Sequence, residues 1–497
     1  MKAQEVGVKS DLKIILESDN QMLDEVMVVA YGTAKKSSFT GSASTINNEK
    51  LELRPITNLT KGLEGQATGL LTTSGSGQPG EDASIVIRGY GSINASQDPL
   101  YVVDGSLSSI NPSDIESMTV LKDASAGALY GARGANGVVM ITTKQGKEGK
   151  AQVTWRSTVG WASRAIQPYD MVDQKEFVQL TYEALRNGYA FNSGYSWEQA
   201  QQMARAGLSA NLGGELYNPF KNYTWDNLIN PETGMVQADA VSAWDERWMD
   251  AVQRDNAFRQ EHQLSVNGGS EKTKYMFSLG YLNEDGILIN TGFQRYNARV
   301  NVNSNVTDWF KANVNASLSN SVQDYSDYDG SSTSNVWYSA QFVSPLFPVY
   351  MKGLDGKNVL GEDGRPQLDY GENGRPGSYT DYNPVGGLTD DKSNKKNDVA
   401  SLRTGVTFGS DKDNFGIFKG IKLNVNFGLD YRNQARMSYM NMYHGNQATA
   451  GGLLTKYNTR MQSYTFNQLL SWNRSFGLHS FDVLAGHEFY AYSYEYL

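Results

Sequence analysis

Two adjacent stretches decide the fold of this protein: SIVIRGYGSINASQDPLYVVDG at residues 84–105 and NPSDIESMTVLKDASAGALYGARGANGVVMITTK at residues 111–144. Short β-type runs, such as VVMI at 138–141, alternate there with glycine-rich turns and short helix signals. This alternation predicts a small, compact domain of mixed α+β class. Beyond about Gln152 the chain changes to long strands of alternating apolar and polar residues, so a globular unit is followed by an array of strands.

These stretches resemble the plug domain of a TonB-dependent outer-membrane transporter of the SusC/RagA type. The matching segments are IRGYGS at 87–92, PLYVVDG at 99–105, the run at 115–144 and, upstream, DEVMVVAYGT at 24–33. A looser match continues to 469–490, which resembles a mid-barrel hairpin of the same family. The plug signature comprises Arg88, Gly89, Asp104, Gly105, Leu121, Lys122, Asp123, Ala124, Tyr130, Gly131, Asn136 and Gly137.

The resemblance implies a fold class and a domain order. An α+β plug domain is expected at 35–147. It is followed at 148–497 by the N-terminal part of a transmembrane antiparallel β-barrel with long extracellular loops. Residues 1–23 are expected to be the remnant of a β-sandwich extension, and residues 24–34 to be the TonB-box segment.

The segment before the plug allows two interpretations. By its pattern alone it is an ordinary edge strand. The functional interpretation is a TonB box, an extended segment whose backbone N–H and C=O groups pair with a strand of a partner protein. Its position and the resemblance favour the TonB box, although Ala30 stands where the family more often has Gly. The residues expected to form it are Asp24, Glu25, Val26, Met27, Val28, Val29, Ala30, Tyr31 and Gly32.

The composition excludes several classes of function. The 497 residues include no Cys, which rules out a disulfide framework, a thiolate metal site and a Cys nucleophile. The four His residues lack a zinc spacing, and the net charge of −9 disfavours nucleic acid as a partner. The sequence contains no run of about 20 apolar residues, so it predicts no transmembrane helix. A transmembrane barrel stays polar on average, because lipid-facing and lumen-facing residues alternate along each strand.

The strand array shows this alternation strictly over runs of roughly ten residues, and about nine such strands are present. The links between them alternate in length. The shorter links are 267–271, 304–308, 409–420 and 473–479, and the longer ones include 165–257 and 321–398. Short turns on one side and long loops on the other are typical of an outer-membrane barrel, and we expect the long loops to be extracellular.

Two observations predict that the chain is incomplete. A plugged transporter barrel has about 22 strands, and hydrocarbon does not tolerate open sheet edges. The first residues show no signal peptide, although a barrel protein must be exported. We therefore expect the chain to be an N-terminal half, truncated at both ends.

No catalytic constellation, cofactor motif or metal site is expected, so the protein is predicted not to be an enzyme. The segment GSGQPG at 75–80 spells G-x-G-x-x-G, but Pro79 and a following strand do not fit a dinucleotide site. Asp324, Asp327 and Asp329 do not match the spacing of a calcium loop. A helix at 173–186 is predicted to pack within a loop.

The loop at 321–398 is rich in aromatic residues, which stack on sugar rings or pack against peptides. The candidate substrate-binding residues are Tyr325, Tyr328, Trp337, Tyr338 and Tyr370. The alternative is that these rings pack the loop itself or belong to the aromatic belt of the membrane.

The resemblance implies TonB-dependent active uptake of a glycan or oligopeptide nutrient across the outer membrane. The implied partners are the TonB–ExbB–ExbD complex, a SusD-like surface lipoprotein, the glycan or peptide ligand and outer-membrane lipid. Two alternatives remain open: a siderophore-type TonB-dependent receptor, and a surface-exposed β-rich glycan-binding protein.

Overall fold

The computed structural model of the protein describes residues 26–29, 32–35, 42–49, 56–103, 111–123, 128–166, 169–326, 335–371, 374–376, 382–410, 412–445, 447–477 and 479–497. The chain divides into two compact units. The first unit ends at Lys144 and lacks the short segment Ser76–Glu81, which packs with the second unit. The rest of the second unit is Gln145–Leu497. The β-sandwich remnant expected at residues 1–23 lies outside the described residues.

In its described residues, the first unit contains eight short strands. They are β1 (Val26–Val29), β2 (Gly32–Lys35), β3 (Ala43–Asn47), β4 (Leu70–Thr73), β5 (Ser84–Ile87), β6 (Leu100–Val103), β7 (Ile115–Leu121) and β8 (Val138–Thr143). Four of them form a sheet in the order β3-β7-β8-β6, in which β6 and β8 are parallel. The remaining strands form two antiparallel pairs, β1 with β2 and β4 with β5.

The first four residues of β8 are all apolar because both faces of the strand are buried there. Val139 and Ile141 belong to one hydrophobic cluster, whereas Val138 and Met140 belong to a second one. Successive side chains of a strand point to opposite faces, so the uninterrupted VVMI run is what a doubly covered strand requires. The mixed α+β domain predicted from this run is therefore confirmed.

The helical elements of the first unit are short. Helix α1 covers only Leu59–Gly62, and the chain after Asn111 forms a single 3₁₀ turn at Pro112–Asp114. The Asn111 side chain nevertheless accepts a hydrogen bond from the Ser113 N–H, as an N-cap does. Gly131 forms a kink with φ 59° inside the 3₁₀ segment Ala128–Gly134.

The described residues of the second unit contain one antiparallel sheet of nine strands, each paired with its neighbours in the sequence. The strands are β9 (Gly149–Ala162), β10 (Ala257–Gly269), β11 (Thr273–Asp285), β12 (Gly292–Asn305), β13 (Phe310–Tyr325), β14 (Lys392–Gly409), β15 (Ile421–Met440), β16 (Leu453–Phe476) and β17 (His479–Tyr496). Their number, direction and order confirm the predicted strand array of a partial plugged barrel.

The two faces of this sheet have opposite chemistry. Leu279, Tyr296 and Leu318 lie on one face, where large apolar side chains are exposed. Arg299 and Asn301 on the other face are 4% exposed. We call these the apolar face and the polar face. A soluble sheet exposes its polar residues and buries its apolar ones, so the distribution is reversed here.

The links also alternate between the two edges of the sheet. One edge carries the turns 270–272, 306–309, 410–420 and 477–478, and the other carries the links 163–256, 286–291, 326–391 and 441–452. The alternation of length holds, except that 286–291 is shorter than 410–420. The loop predicted at 321–398 contains fewer residues in the structure, because β13 and β14 remain paired as far as Tyr325 and Ser393.

The two longest links fold together around a hydrophobic core of their own. Their helices are α2 (Gln174–Asn187), α3 (Trp197–Asn211), α4 (Trp225–Leu228), α5 (Trp248–Ala251), α6 (Val336–Phe342) and α7 (Pro384–Thr389). Tyr217 and Phe347 pack edge to face in this core, at 5.2 Å between ring centroids. The Trp248 indole N–H donates to the Phe347 carbonyl oxygen at 2.8 Å. We call this packed assembly the loop cap.

Helix α2 begins as the sequence predicts. The Asp173 side chain accepts from the Glu176 N–H, and the Glu176 side chain accepts from the Asp173 N–H, which is a capping box. None of the helices in the described part of the chain is long and apolar enough to cross a membrane.

The strands are longer than the predicted ten residues, and β16 reaches 24. The backbone ladder continues past the apolar residues into a polar zone on the same face. On β13 this face changes from Leu318 to Asn320 and then to Asp324. Strand length therefore follows hydrogen bonding between neighbours, whereas the apolar residues mark only the part that suits hydrocarbon.

Candidate functional site

The expected TonB box includes strand β1 and Gly32, the first residue of β2. Strand β1 pairs antiparallel with β2, with Val26 opposite Lys35 and Val29 opposite Gly32. In the described residues this sheet has these two strands only. A strand in a two-stranded pair uses one of its two hydrogen-bonding edges, so the geometry is compatible with pairing to a further strand. Asp24, Glu25, Ala30 and Tyr31 lie outside the described residues.

The glycines and Arg88 of the plug signature shape turns. Arg88 has a left-handed backbone (φ 59°) and is followed by Gly89 (φ 92°), while the Arg88 N–H donates to the Gly69 carbonyl oxygen at 2.9 Å. Gly137 also has φ 92°, and a Cβ at this position would lie 2.7 Å from the Ile87 Cδ1 atom. Arg88 thus continues the pairing of β5 with β4, and the missing side chain of Gly137 leaves room for Ile87 of β5.

The polar residues of the signature tie separate segments of the first unit together. Lys122 donates through its Nζ atom to the Ser44 hydroxyl at 2.6 Å, and the Asp123 carboxylate accepts from the Ser42 N–H at 2.7 Å. The Asn136 side chain donates to the Ser96 carbonyl oxygen at 2.8 Å. Their roles are therefore structural in this fold.

Two further residues of the plug signature, Leu121 and Tyr130, contribute to a hydrophobic cluster of the first unit. Leu121 is buried in the second hydrophobic cluster and Tyr130 packs against that cluster. Asp104, Gly105 and Ala124 lie outside the described residues.

Three candidate substrate-binding aromatics already have neighbours in the loops. The Arg164 guanidinium lies 5.1 Å from the Trp337 ring centroid, and Tyr338 packs on Phe342 at 4.5 Å between centroids. The Tyr370 ring stacks on His444 at 3.6 Å between centroids. These three rings thus have contacts within the loops, and a role in substrate binding stays a prediction for them. Tyr328 lies outside the described residues.

The Tyr370–His444 stack joins two loops through one carboxylate. Asp390 accepts from the Tyr370 hydroxyl at 2.9 Å, and its Oδ2 atom lies 2.7 Å from the His444 Nε2 atom.

Tyr382 in the loop cap is buried, and burial raises its pKa well above the ordinary range of a tyrosine. The hydroxyl of Tyr382 therefore stays protonated and neutral.

Tyr325 has a different location from the other candidates. It is the last residue of β13 on the polar face, and the Arg436 guanidinium lies 5.1 Å from its ring centroid. Arg436 also lies 5.7 Å from the Tyr457 ring centroid, so a cation is placed between two aromatic rings on the wall of the sheet.

Sequence reasoning missed the aromatic residues at the end of the chain. The run YAYSYEY at 490–496 places a tyrosine at every second position of β17. A period of two in a strand puts all four rings on one face, and this signal was available in the sequence.

The polar face is cross-linked by hydrogen bonds between strands. Arg403 on β14 donates from one guanidinium nitrogen to both carboxylate oxygens of Asp430 on β15, at 2.6 and 2.8 Å. Asn426 and Asn467 are joined at 2.8 Å. Such paired polar side chains suit a wall that faces water. Within the described residues, no group of three or more His, Asp or Glu side chains could hold a metal ion.

The segment Ser76–Glu81 docks on strands of the second unit. The Gln78 side chain accepts from the Ser326 N–H at 2.8 Å and donates to the Ser326 carbonyl oxygen at 3.2 Å. Gln323, which is 1% exposed, donates to the Pro79 carbonyl oxygen at 2.7 Å. Gly80 has φ 77° and lies so close to Phe293 that a Cβ would be 2.2 Å from its ring. The G-x-G-x-x-G segment therefore contributes to packing with β12 and β13.

Comparison with known proteins gives matches over nearly the whole chain. A family profile described as "TonB-dependent Receptor Plug Domain" matches residues 35–138. TonB-dependent receptor SusC of Bacteroides thetaiotaomicron is 30% identical, over 98% of this chain and 44% of that protein. TonB-dependent receptor P3 of Formosa agariphila is 28% identical, over 97% of this chain and 42% of that protein.

A solved structure agrees with these sequence matches. The RagAB peptide importer in the open-open state shares 25% sequence identity at a TM-score of 0.70, over 95% of this chain and 49% of that chain. The chain thus spans less than half the length of the curated relatives it matches. The relatives are receptors and an importer rather than enzymes, which confirms the prediction of a non-enzymatic protein. The chain is a TonB-dependent transporter sequence of the SusC/RagA type, comprising a plug domain and a nine-stranded sheet of a plugged barrel.

Proposed function

We propose that this chain forms the plug and part of the barrel of a transporter that takes up a glycan or oligopeptide nutrient across the outer membrane. The observation that carries the proposal is the reversed chemistry of the nine-stranded sheet. Leu318 is 61% exposed on the apolar face, while Arg299 and Asn301 are buried on the polar face. An exposed apolar sheet is stable in lipid and prone to aggregation in water. This disfavours a soluble glycan-binding protein.

The energy for uptake would come from the TonB–ExbB–ExbD complex through residues 24–32. Strand β1 is rich in Val, and its hairpin with β2 uses one edge of each strand. TonB would add a strand to β1 or replace β2 as its partner, because main-chain hydrogen bonds need only an extended segment.

The loop cap supports a surface partner, for which a SusD-like lipoprotein is proposed. The two long links have a continuous core that includes Trp225 and Phe220 at 1% and 0% exposure. Such a core makes the loops a firm surface on which another protein can dock. The peptide alternative for the cargo is supported by the similarity to the RagAB peptide importer.

The proposal is tested in cells that express the complete protein. Val28→Pro removes the backbone N–H of Val28 and restricts its φ angle, so pairing with TonB should fail. Val28→Ala keeps the N–H and serves as the matched control. Uptake of labelled oligosaccharide and peptide mixtures should stop in Val28→Pro and persist in Val28→Ala, with equal surface levels of both proteins. Equal uptake by both variants would contradict the TonB-box assignment.

A further inference from the structure

The last strand carries a row of tyrosines on the polar face. The tyrosine row consists of Tyr490, Tyr492, Tyr494 and Tyr496. Tyr492 stands opposite Ser463 of β16, which itself stands opposite Asp430 of β15. Asp430 is the partner of Arg403, so the tyrosine row belongs to the face with the buried polar residues. Four large aromatic side chains are thus concentrated on one strand of the polar face.

The row continues across neighbouring strands at its loop end. The Tyr496 ring stacks on Tyr457, at 5.8 Å between centroids and 27° between ring planes. Tyr457 in turn lies against Arg436, and Arg436 against Tyr325. We call this set the aromatic track: the tyrosine row together with Tyr457, Arg436 and Tyr325. It leads from the loop edge of the sheet along β17 toward the turn edge.

We propose that the aromatic track is a binding surface for the sugar rings of a linear glycan. This inference rests on the proposed function, because the polar face must line the transport path. Tyr492 and Tyr494 are 53% and 56% exposed, so their ring faces are accessible. Neighbouring rings of the row are separated by about 6.8 Å, and the row is about 20 Å long, from the rise per residue of a strand.

The chemistry of the track matches a saccharide. One face of a pyranose presents C–H groups that pack on an aromatic ring, and its edge presents hydroxyl groups. Tyrosine supplies an apolar ring face together with a hydroxyl that both donates and accepts hydrogen bonds. The residues opposite Tyr490 and Tyr492 are Thr465 and Ser463, which are small and add further hydroxyls. Rings at even spacing along the strand suit a chain of repeating units.

An extended peptide fits this surface less well. Peptides bound in extended form owe much of their affinity to main-chain hydrogen bonds with a strand edge, combined with pockets for alternate side chains. The track lies on the face of the sheet, where the backbone groups of β16 are already paired with β15 and β17. A sheet face offers a peptide neither unpaired backbone groups nor a distinct pocket for each residue.

The test compares ring removal with hydroxyl removal in the complete protein. Tyr492→Ala/Tyr494→Ala removes two rings, and Tyr492→Phe/Tyr494→Phe keeps both rings. Tyr443→Ala, at an 80% exposed loop tyrosine away from β17, is the matched control. The probes are fluorescently labelled linear gluco-oligosaccharides of mixed linkage and a labelled peptide mixture from digested casein. Surface protein level and the heat-dependent gel mobility of each variant report folding.

The expected result is import of oligosaccharides by the unchanged protein, reduced about tenfold or more by the double alanine variant. The double phenylalanine variant and Tyr443→Ala should retain most of the import. If oligosaccharide import is equal in all variants, the track is refuted while the transporter proposal stands. If the unchanged protein imports only peptides, the sugar assignment is refuted. If it imports neither probe, the proposed function fails and the inference fails with it.

Discussion

The contacts between Ser76–Glu81 and the sheet of the second unit can be tested by substituting single residues of this segment. Gln78 makes two hydrogen bonds to the backbone of Ser326, at 2.8 and 3.2 Å. Gln78→Ala removes both. At about 0.5–1.5 kcal/mol for each bond, the docked state should lose about 1–3 kcal/mol relative to the released state. The equilibrium for release then increases by roughly 5-fold to 150-fold.

Gly80→Ala perturbs the same docking by a different mechanism. The left-handed backbone costs about 1–2 kcal/mol for a residue with a side chain. In addition, its Cβ would be 2.2 Å from the Phe293 ring, so that the ring or the segment must move. Gly77→Ala is the matched control, because a Cβ at Gly77 meets no atom within 4 Å.

Hydrogen exchange of the Ser326 amide is the measurement, made on the complete protein in lipid nanodiscs. Ser326 directly follows β13, and its N–H donates to the Gln78 side chain. Exchange at Ser326 should become faster in Gln78→Ala and in Gly80→Ala, and it should stay unchanged in Gly77→Ala. If Ser326 keeps its protection in Gln78→Ala, the segment does not dock as described and the energetic reasoning is wrong.

Two further predictions concern local stability. Asp173→Ala should destabilise α2 by about 0.5–2 kcal/mol through loss of the capping box, seen as faster amide exchange in this helix, whereas Asp170→Ala should have no effect. Gly137→Ala should destabilise the first unit by about 2 kcal/mol or more, because positive φ strain adds to a 2.7 Å approach to Ile87. Gly131→Ala has the strain without the close contact and should cost less, as measured by proteolysis of the first unit. Equal effects of the two glycine variants would contradict the steric argument.

Several features were predictable because they depend on local patterns. Residues such as Asp173 and Asn111 cap helical turns through atoms two or three positions away. The strands of the second unit were predictable from period-two alternation, since each residue's face follows from its position in the strand. The tyrosine row at 490–496 obeys the same rule, so its position on one face follows from the sequence alone.

Other features required the fold because their partners are distant in sequence. The sequence places Tyr325, Trp337 and Tyr370 in one loop. In the structure each ring contacts a different side chain: Arg436, Arg164 and His444, respectively. Arg436 approaches Tyr325 only because β14 lies between β13 and β15. No local pattern predicts such a pairing.

The sequence by itself determined the plug, the number and direction of the long strands, and the separation of an apolar from a polar face. These properties follow from short-range periodicity and turn chemistry. Only the tertiary structure decided that Ser76–Glu81 packs with the second unit, that the long links share one core, and that the aromatic track crosses strands from β13 to β17. The reason is physical: these contacts join residues far apart in the chain, and they form only when strand pairing and loop packing bring them together.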